Sequence, residues 1–337
     1  MISRKKCLLL ATVLLPFAMQ TQAQLILDNY VIPAGKPGAA IGKVTGANKA
    51  TISADTSGLF TIEKNTLRLK KGKSLPAGAF KFEVAVSAGT EKVVYTLVKD
   101  EFHQNKVVAH RGAWKNQPGS QNSLSSLKDA IKLGCAGSEF DIWMSADGQM
   151  VLSHDPEIGG KKVEETNAAE LTAIALDNGD KVPTLEQYLD EGMKQNGTKL
   201  VLEIKPSKVS KERGQELATK AVEMVRAKQA QGWIIYISFD YDICKRVVEL
   251  DPYAKVQYLN GEKSPAQLKA DKIWGFDYNY GVVNKDMSIL KDARSKGVTT
   301  NVWTVNKAEQ MTQLLDAGVD FLTTDEPELA LEKVKGK

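Results

Sequence analysis

The chain has 337 residues, of which 45 are Lys or Arg and 41 are Asp or Glu, giving a formal charge of +4. Three basic residues and no acidic ones precede Gln24, so the rest of the chain stands at 42 against 41. That near balance removes the charge argument for a nucleic-acid partner, and no later stretch is apolar over the roughly 20 residues that a membrane-crossing helix needs.

Residues 1–23 read as a secretory signal. Arg4, Lys5 and Lys6 precede a short apolar run from Leu8 to Met19, and Thr21 and Ala23 supply small residues before a cut ahead of Gln24. The protein is therefore expected to be exported, to the periplasm or beyond the cell. Cys7 precedes the apolar run, the wrong place for a lipid-modified cysteine. Cys135 and Cys244 flank expected elements in semi-apolar settings and are expected to be buried free thiols.

Residues 24–102 carry short alternating or β-branched runs at Leu25–Leu27, Ala40–Val44, Leu59–Ile62, Leu67–Leu69, Phe80–Val86 and Val93–Val98. Gly, Pro, Asn and Ser cluster between them, and helical periodicity is absent, which predicts a small all-β sandwich. The series YVIPAGKPGAAIGKV, FTIEKNTLRLKKG, FKFEVAVSAG resembles a degenerate cadherin-like repeat lacking that family's acidic calcium motifs. The resemblance implies a fold and no metal. A spacer, a glycan or cell-surface contact, and a cap beside the mouth of a barrel formed by the rest of the chain are all roles open to this segment.

Residues 103–337 change grammar. Strands are expected at Val107–His110, Gly137–Trp143, Leu200–Lys205, Trp233–Phe239, Lys255–Leu259, Trp274–Tyr278, Val298–Val305 and Phe321–Thr324, with an accessory hairpin strand at Met150–His154. Helices are expected at Asn122–Leu133, Thr184–Gln195, Lys211–Lys228 and Lys307–Ala317. Alternating strands and helices imply parallel pairing, and eight main strands predict an α/β TIM-type (β/α)8 barrel. A doubly wound open sheet would want a glycine-rich phosphate loop after its first strand, and HRGAWKNQPG is not one. A barrel that closes its own core is expected to fold from about Glu101 without the first segment.

Polar residues gather at the expected strand ends. Period two places Glu139 and Asp141 on one face of their strand, with Phe140 and Ile142 on the other, and Glu203 and Lys205 share a face likewise. His110-Arg111-Gly112 and His154 end two further strands. Three carboxylates converging at a barrel mouth repel unless a cation sits among them, and an all-oxygen set suits Mg²⁺ or Ca²⁺. Arg111 and Lys205 supply positive charge for a phosphate, and two histidines are the natural acid–base pair near neutral pH. His103, in the linker, has no such company and is expected on the surface. Asn122 reads as a helix N-cap.

The segments HRG, SEFDIWMSADGQMVLSHD and LEIKP, followed by NVWTVN and GVDFLTTDEP, resemble the ordered motifs of the glycerophosphodiester phosphodiesterases over residues 106–335. The resemblance implies that Glu139, Asp141 and Glu203 bind a divalent ion, that His110 and His154 are the acid–base pair, and that Arg111 and Lys205 hold the phosphate. Trp303 matches a tryptophan lining that family's pocket. Gln121 stands where the family usually carries Glu. The expected function is metal-dependent hydrolysis of a small-molecule glycerophosphodiester. The alternatives are a phospholipase C- or D-like barrel acting on intact lipid and a binding protein without turnover.

Overall fold

The computed structural model describes residues 25–33 and 36–335; the expected signal segment lies outside them. The first eight strands are β1 (Ile26–Leu27), β2 (Val31–Ile32), β3 (Ala40–Thr45), β4 (Thr51–Ala54), β5 (Phe60–Glu63), β6 (Thr66–Leu69), β7 (Lys81–Ala88) and β8 (Glu91–Lys99). They form two four-stranded sheets, ordered β1-β3-β6-β5 and β2-β8-β7-β4. The core between them joins Leu27, Ile41, Val44 and Leu67 from one sheet to Ile32, Phe82, Val84 and Tyr95 from the other, with Phe60 meeting Phe82 edge to face at 5.9 Å. The sequence analysis missed β2 and β4, which have two and four residues and too little alternation to read.

The second segment contains β9 (Val107–Ala109), α1 (Leu124–Leu133), β10 (Gly137–Met144), β11 (Met150–Leu152), β12 (Glu157–Ile158), β13 (Lys161–Lys162), α2 (Ala168–Leu171), α3 (Leu185–Gly192), β14 (Lys199–Ile204) and α4 (Lys211–Ala227). It continues with β15 (Ile234–Ser238), α5 (Tyr241–Leu250), β16 (Val256–Tyr258), α6 (Pro265–Ala270), β17 (Gly275–Asn279), α7 (Tyr280–Val283), α8 (Ser288–Lys296), β18 (Thr299–Trp303), α9 (Ala308–Ala317), β19 (Phe321–Thr324) and α10 (Pro327–Lys335). Strands β9-β10-β14-β15-β16-β17-β18-β19 pair in parallel and β19 returns to β9, closing the eight-stranded barrel. Strand β11 is the accessory hairpin partner of β10. Helices α2, α5, α6, α7, α8 and α10 went unassigned in the sequence reading. The short elements β12, β13 and α2 belong to an insertion after β11, whose small core joins Trp143, Val151, Val163, Leu171 and Val182. Cys135 and Cys244 are buried and unpaired.

The sandwich docks on the barrel floor, where the barrel strands begin. Val98 of β8 and Phe102 belong to the barrel's own apolar core. The Trp233 ring, fully buried just before β15, meets Phe80 at 6.5 Å and Phe102 at 6.2 Å, both edge to face. Gly232 lets this happen, because a Cβ there would lie 1.9 Å from a Val98 methyl. Lys81 Nζ donates to the Met193 carbonyl at 2.7 Å, and Gln231 Nε2 to the Asp28 carbonyl at 3.2 Å. The placement removes the cap beside the mouth from the roles open to this segment, since it covers the opposite end.

Candidate active site

The barrel's alternation decides which groups meet at the mouth. On β10, Phe140 turns outward to stack on Tyr188 of α3 at 4.0 Å, so Glu139 and Asp141 face inward. Glu203, at the end of β14, joins them, and one oxygen from each of the three carboxylates lies within 4.8 Å of the others. All three are buried. Lys205 Nζ is 2.7 Å from Asp141 Oδ1 and 2.8 Å from Glu203 Oε1. One ammonium thus faces three carboxylates.

The consequences are uneven. Burial, then the charges of Asp141 and Glu203, push Glu139 well above the usual carboxylate range. Burial and Asp141 raise Glu203 to about 8. Burial also pushes on Asp141, but Lys205 and a hydrogen bond from Asn122 outweigh it and hold that carboxyl low. Glu139 Oε2 accepts from the Arg111 backbone N–H at 2.7 Å, while its Oε1 has no hydrogen-bond partner among the described residues. An orphaned buried oxygen within an all-carboxylate set is what a hard divalent ion would satisfy.

Around this cluster stand the two histidines. His110, one residue past β9, places Nδ1 2.7 Å from Asp325 Oδ1. Asp325 is fixed in turn by Asn306, whose Nδ2 donates to Oδ2 at 2.7 Å and whose Oδ1 accepts from the Asp325 N–H at 2.9 Å. His154, two residues past β11, has Nδ1 2.8 Å from Asp155 Oδ1, with side chains 40% and 73% exposed. Burial and the nearby Lys205 hold His154 below the ordinary histidine value, against the opposing pull of Asp141. His103 is exposed and lies near the floor, its N–H donating to the Gly197 carbonyl at 2.7 Å.

The loop after β9 carries the strain. Arg111 and Asn122 both have positive φ, 58° and 54°, a conformation that side chains with a Cβ adopt reluctantly. It aims the Arg111 N–H at Glu139. Arg111 also donates from its guanidinium to Gln121 Oε1 at 2.5 Å, and its Nε has no partner among the described residues. Gln121 therefore still accepts from Arg111, without a charge.

The expectation for Asn122 is corrected. The N-cap of α1 is Ser123, in a reciprocal capping box with Ser126. Asn122 instead grips Asp141: its Nδ2 donates to Oδ2 at 2.8 Å and its Oδ1 accepts from the Asp141 N–H at 3.0 Å. The Ser-x-x-Ser spacing was the available signal for the true cap.

Trp303 ends β18 at the mouth. Its Nε1 donates to the Asp277 carbonyl at 3.0 Å, and its ring meets Phe239 edge to face at 5.5 Å. The Asp277 carboxyl, buried in the barrel interior, is raised by that burial and by Glu203. Sequence reasoning missed Asp277, Asn306 and Asp325, although Asn306 and Asp325 both lie in quoted motifs.

The pattern of the glycerophosphoryl diester phosphodiesterase family matches residues 110–329. A solved glycerophosphodiester phosphodiesterase from Parabacteroides distasonis is 41% identical, with a TM-score of 0.67, covering 70% of this chain and 99% of that one. A glycerophosphodiester phosphodiesterase of Caldanaerobacter subterraneus subsp. tengcongensis is 26% identical over 243 residues, 68% of this chain and 97% of that protein. A phosphodiesterase from Oleispira antarctica, solved with the product sn-glycerol-3-phosphate, shares the fold at 22% identity and a TM-score of 0.59, covering 68% of this chain and 96% of that one. Because the family match covers more than half of the chain and takes in every mouth residue from His110 to Asp325, this chain belongs to the glycerophosphoryl diester phosphodiesterase family.

Proposed function

We propose that this chain hydrolyses glycerophosphodiesters to glycerol phosphate and an alcohol, with Mg²⁺ or Ca²⁺ held by Glu139, Asp141 and Glu203. The observation that carries the reading is the surplus of buried carboxyl groups at the mouth, three against Lys205, which can all ionise only with a further cation among them. When bound, the cation supplies charge to neutralise a phosphoryl oxygen and to favour ionisation of the attacking hydroxyl. Arg111, whose partner Gln121 is neutral, keeps its full charge for the phosphate. Lys205 adds a second positive charge, and Trp303 walls the pocket. His154, with its lowered pKa, is unprotonated near neutral pH and takes the proton of the nucleophile. His110, backed by Asp325, carries a proton to the leaving alcohol. Of the four large apolar side chains exposed among the described residues, only Val209 lies on a loop following the C-terminal end of a barrel strand, which favours a small soluble diester over an intact lipid. Export to the periplasm or beyond, read from residues 1–23, and a glycan or surface contact through the sandwich complete the proposal.

The test is a panel of glycerophosphodiesters assayed with the purified chain, before and after chelation and with Mg²⁺ or Ca²⁺ restored. Turnover should vanish with the chelator and return with the ion; full activity after exhaustive chelation sinks the assignment. Titration has a sign as well. Glu139 and Glu203 are raised, Glu203 to about 8, so at pH 7 the ion-free cluster holds protons that the ion must displace. Ion affinity should rise with pH through about 8, where Glu203 loses its proton. Calorimetry at pH 7 in buffers of different ionisation heat should show net proton release on ion binding.

A further inference from the structure

Far from the barrel's polar mouth, the sandwich has an open groove of about 1000 Å³ between β4 and β5, which are the edge strands of the two sheets. Lys43, Lys49, Lys64 and Lys70 line it, against a single acidic residue, Asp55. Asp55 forms no ion pair with these lysines among the described residues. Its Oδ1 accepts from the N–H groups of Ser57 and Gly58 and from the Ser57 hydroxyl, and its Oδ2 accepts from the Phe60 N–H. Lys70 caps the Gly58 carbonyl at 2.9 Å, whereas Lys43, Lys49 and Lys64 form no ion pair among the described residues. Positive charge is thus concentrated in one place on a chain that is nearly neutral after residue 23.

The backbone that carries these lysines is built. Lys64 and Asn65 both have positive φ, 49° and 60°, and make the tight turn from β5 to β6. Asn65 then reaches across to the loop holding Lys49, donating to the Ala47 carbonyl at 2.8 Å and accepting from the Ala50 N–H at 2.9 Å. The lysines do not sit on the edge strands themselves, so guarding those strands against aggregation does not account for them.

We infer that this groove binds an anionic polysaccharide, its acidic groups on Lys43, Lys49 and Lys64 and its hydroxyls on the unpaired backbone of β4 and β5. The inference rests on reading the sandwich as the contacting segment and is independent of the hydrolytic reading. A concave cleft between two strand edges admits a polymer chain and not a flat bilayer. An acidic peptide that extended the sheet at β4 would meet the register shift between Ile52 and Ala54, which interrupts the regular edge such pairing needs. Phe60, the aromatic residue of the groove, is 2% exposed, so no ring is offered for stacking on a neutral sugar. Recognition is by charge and hydrogen bonds.

The test uses affinity electrophoresis of the full purified chain through gels containing polygalacturonate or dextran, with binding to single-stranded oligo-dT and to anionic vesicles measured alongside. Polygalacturonate should retard the chain, less so as salt rises, and dextran should not. The variant Lys43→Glu/Lys49→Glu/Lys64→Glu should bind polygalacturonate at least about tenfold more weakly, three exposed charge contacts each contributing modestly. It should hydrolyse glycerophosphocholine at the unaltered rate, so that a failure of binding and a failure of catalysis are read separately. Lys132→Glu/Lys272→Glu/Lys285→Glu, with the same change in net charge, should still bind. Retardation by dextran, equal loss in the two variants, no retention on polygalacturonate, or tighter binding to oligo-dT or vesicles than to polygalacturonate would each overturn the inference.

Discussion

Lys199 and Lys205 stand at opposite ends of one strand, and their surroundings are opposite in sign. At the floor, Lys199 and Lys255 share the single carboxylate of Asp100, at 3.2 and 3.3 Å. The Lys199 ammonium completes its contacts with the Gly232 carbonyl and the Phe102 ring, 3.6 Å away, and burial lowers it to about 7. At the mouth, Lys205 is shared among carboxylates, which outweigh its burial and raise it. The floor sets its two lysines against Asp100, a carbonyl and a ring. The mouth keeps a surplus of carboxyl groups and an orphaned Glu139 oxygen, a setting that suits a cation. The same fold thus spends one end on cohesion and the other on chemistry.

The sharpest test of that contrast removes charge at the mouth. Glu139→Gln, Asp141→Asn and Glu203→Gln should each lower turnover by about three orders of magnitude, on the scale of losing a main electrostatic group. Stability should hold, and in Glu139→Gln it should rise slightly, because a raised, repelled carboxyl has been neutralised. Matched melting curves and rates check both halves. A collapse of melting temperature without the ion would mean that the cluster serves the fold.

Smaller losses are expected at the histidines. His110→Ala and His154→Ala should each cost about 10²–10⁴-fold in turnover, while His103→Ala should change little. A substrate with a nitrophenol leaving group needs no acid, so it should rescue His110→Ala and leave His154→Ala impaired. Rescue of His154→Ala instead would exchange the two roles. At saturating ion, activity should fall on the acid side only below the ordinary histidine value, because His154 is lowered and takes up a proton there.

Much of the mouth was legible in the sequence because it follows local rules. Period two on β10 and at the end of β14 is enough to group Glu139, Asp141, Glu203 and Lys205, and strand ends locate His110 and His154. What was not legible depends on partners far along the chain. Asp325 reaches His110 across 215 residues, and Asn122 looks like a cap until Asp141 is seen beside it. The floor was opaque for a related reason. Alternation in Val93–Val98 says that one face is buried, and cannot say that Val98 is buried in the barrel's core rather than the sandwich's. Nor does Gly232 in sequence announce the methyl group that needs its space.

The floor can be broken sterically. Gly232→Val would drive a side chain into Val98, and overpacking of this kind costs about 1–3 kcal/mol. The melting temperature should fall while the folded fraction keeps its kcat. A chain shortened to begin at Glu101 should be worse, because Trp233 loses Phe80 and the barrel core loses Val98. If that shortened chain melts with the full one, the docking is dispensable and the barrel closes without it.

The smallest effect separates charge from packing at the same junction. Lys199→Met keeps a straight apolar stem against Phe102 and leaves Asp100 paired with Lys255, so its melting temperature should move by only a few degrees. Asp100→Ala does the reverse, leaving Lys199 buried beside Lys255 with a carbonyl and a ring for company. Stranding a buried charge costs about 3–5 kcal/mol, and Asp100 is 35% exposed, so about 2 kcal/mol is the expectation. The pH dependence fixes the cause. Lys199 is held near 7 in the folded chain, well below its value of about 10.4 when unfolded. Its burden is therefore full below pH 7, has eased for the most part by pH 10, and is gone only above about 10.4, where both states have shed the proton. The gap between Asp100→Ala and Lys199→Met should be wide at pH 7 and narrow at pH 10 in paired melting curves. Equal costs at both pH values would show that the junction is held by Trp233, Phe102 and Val98 alone.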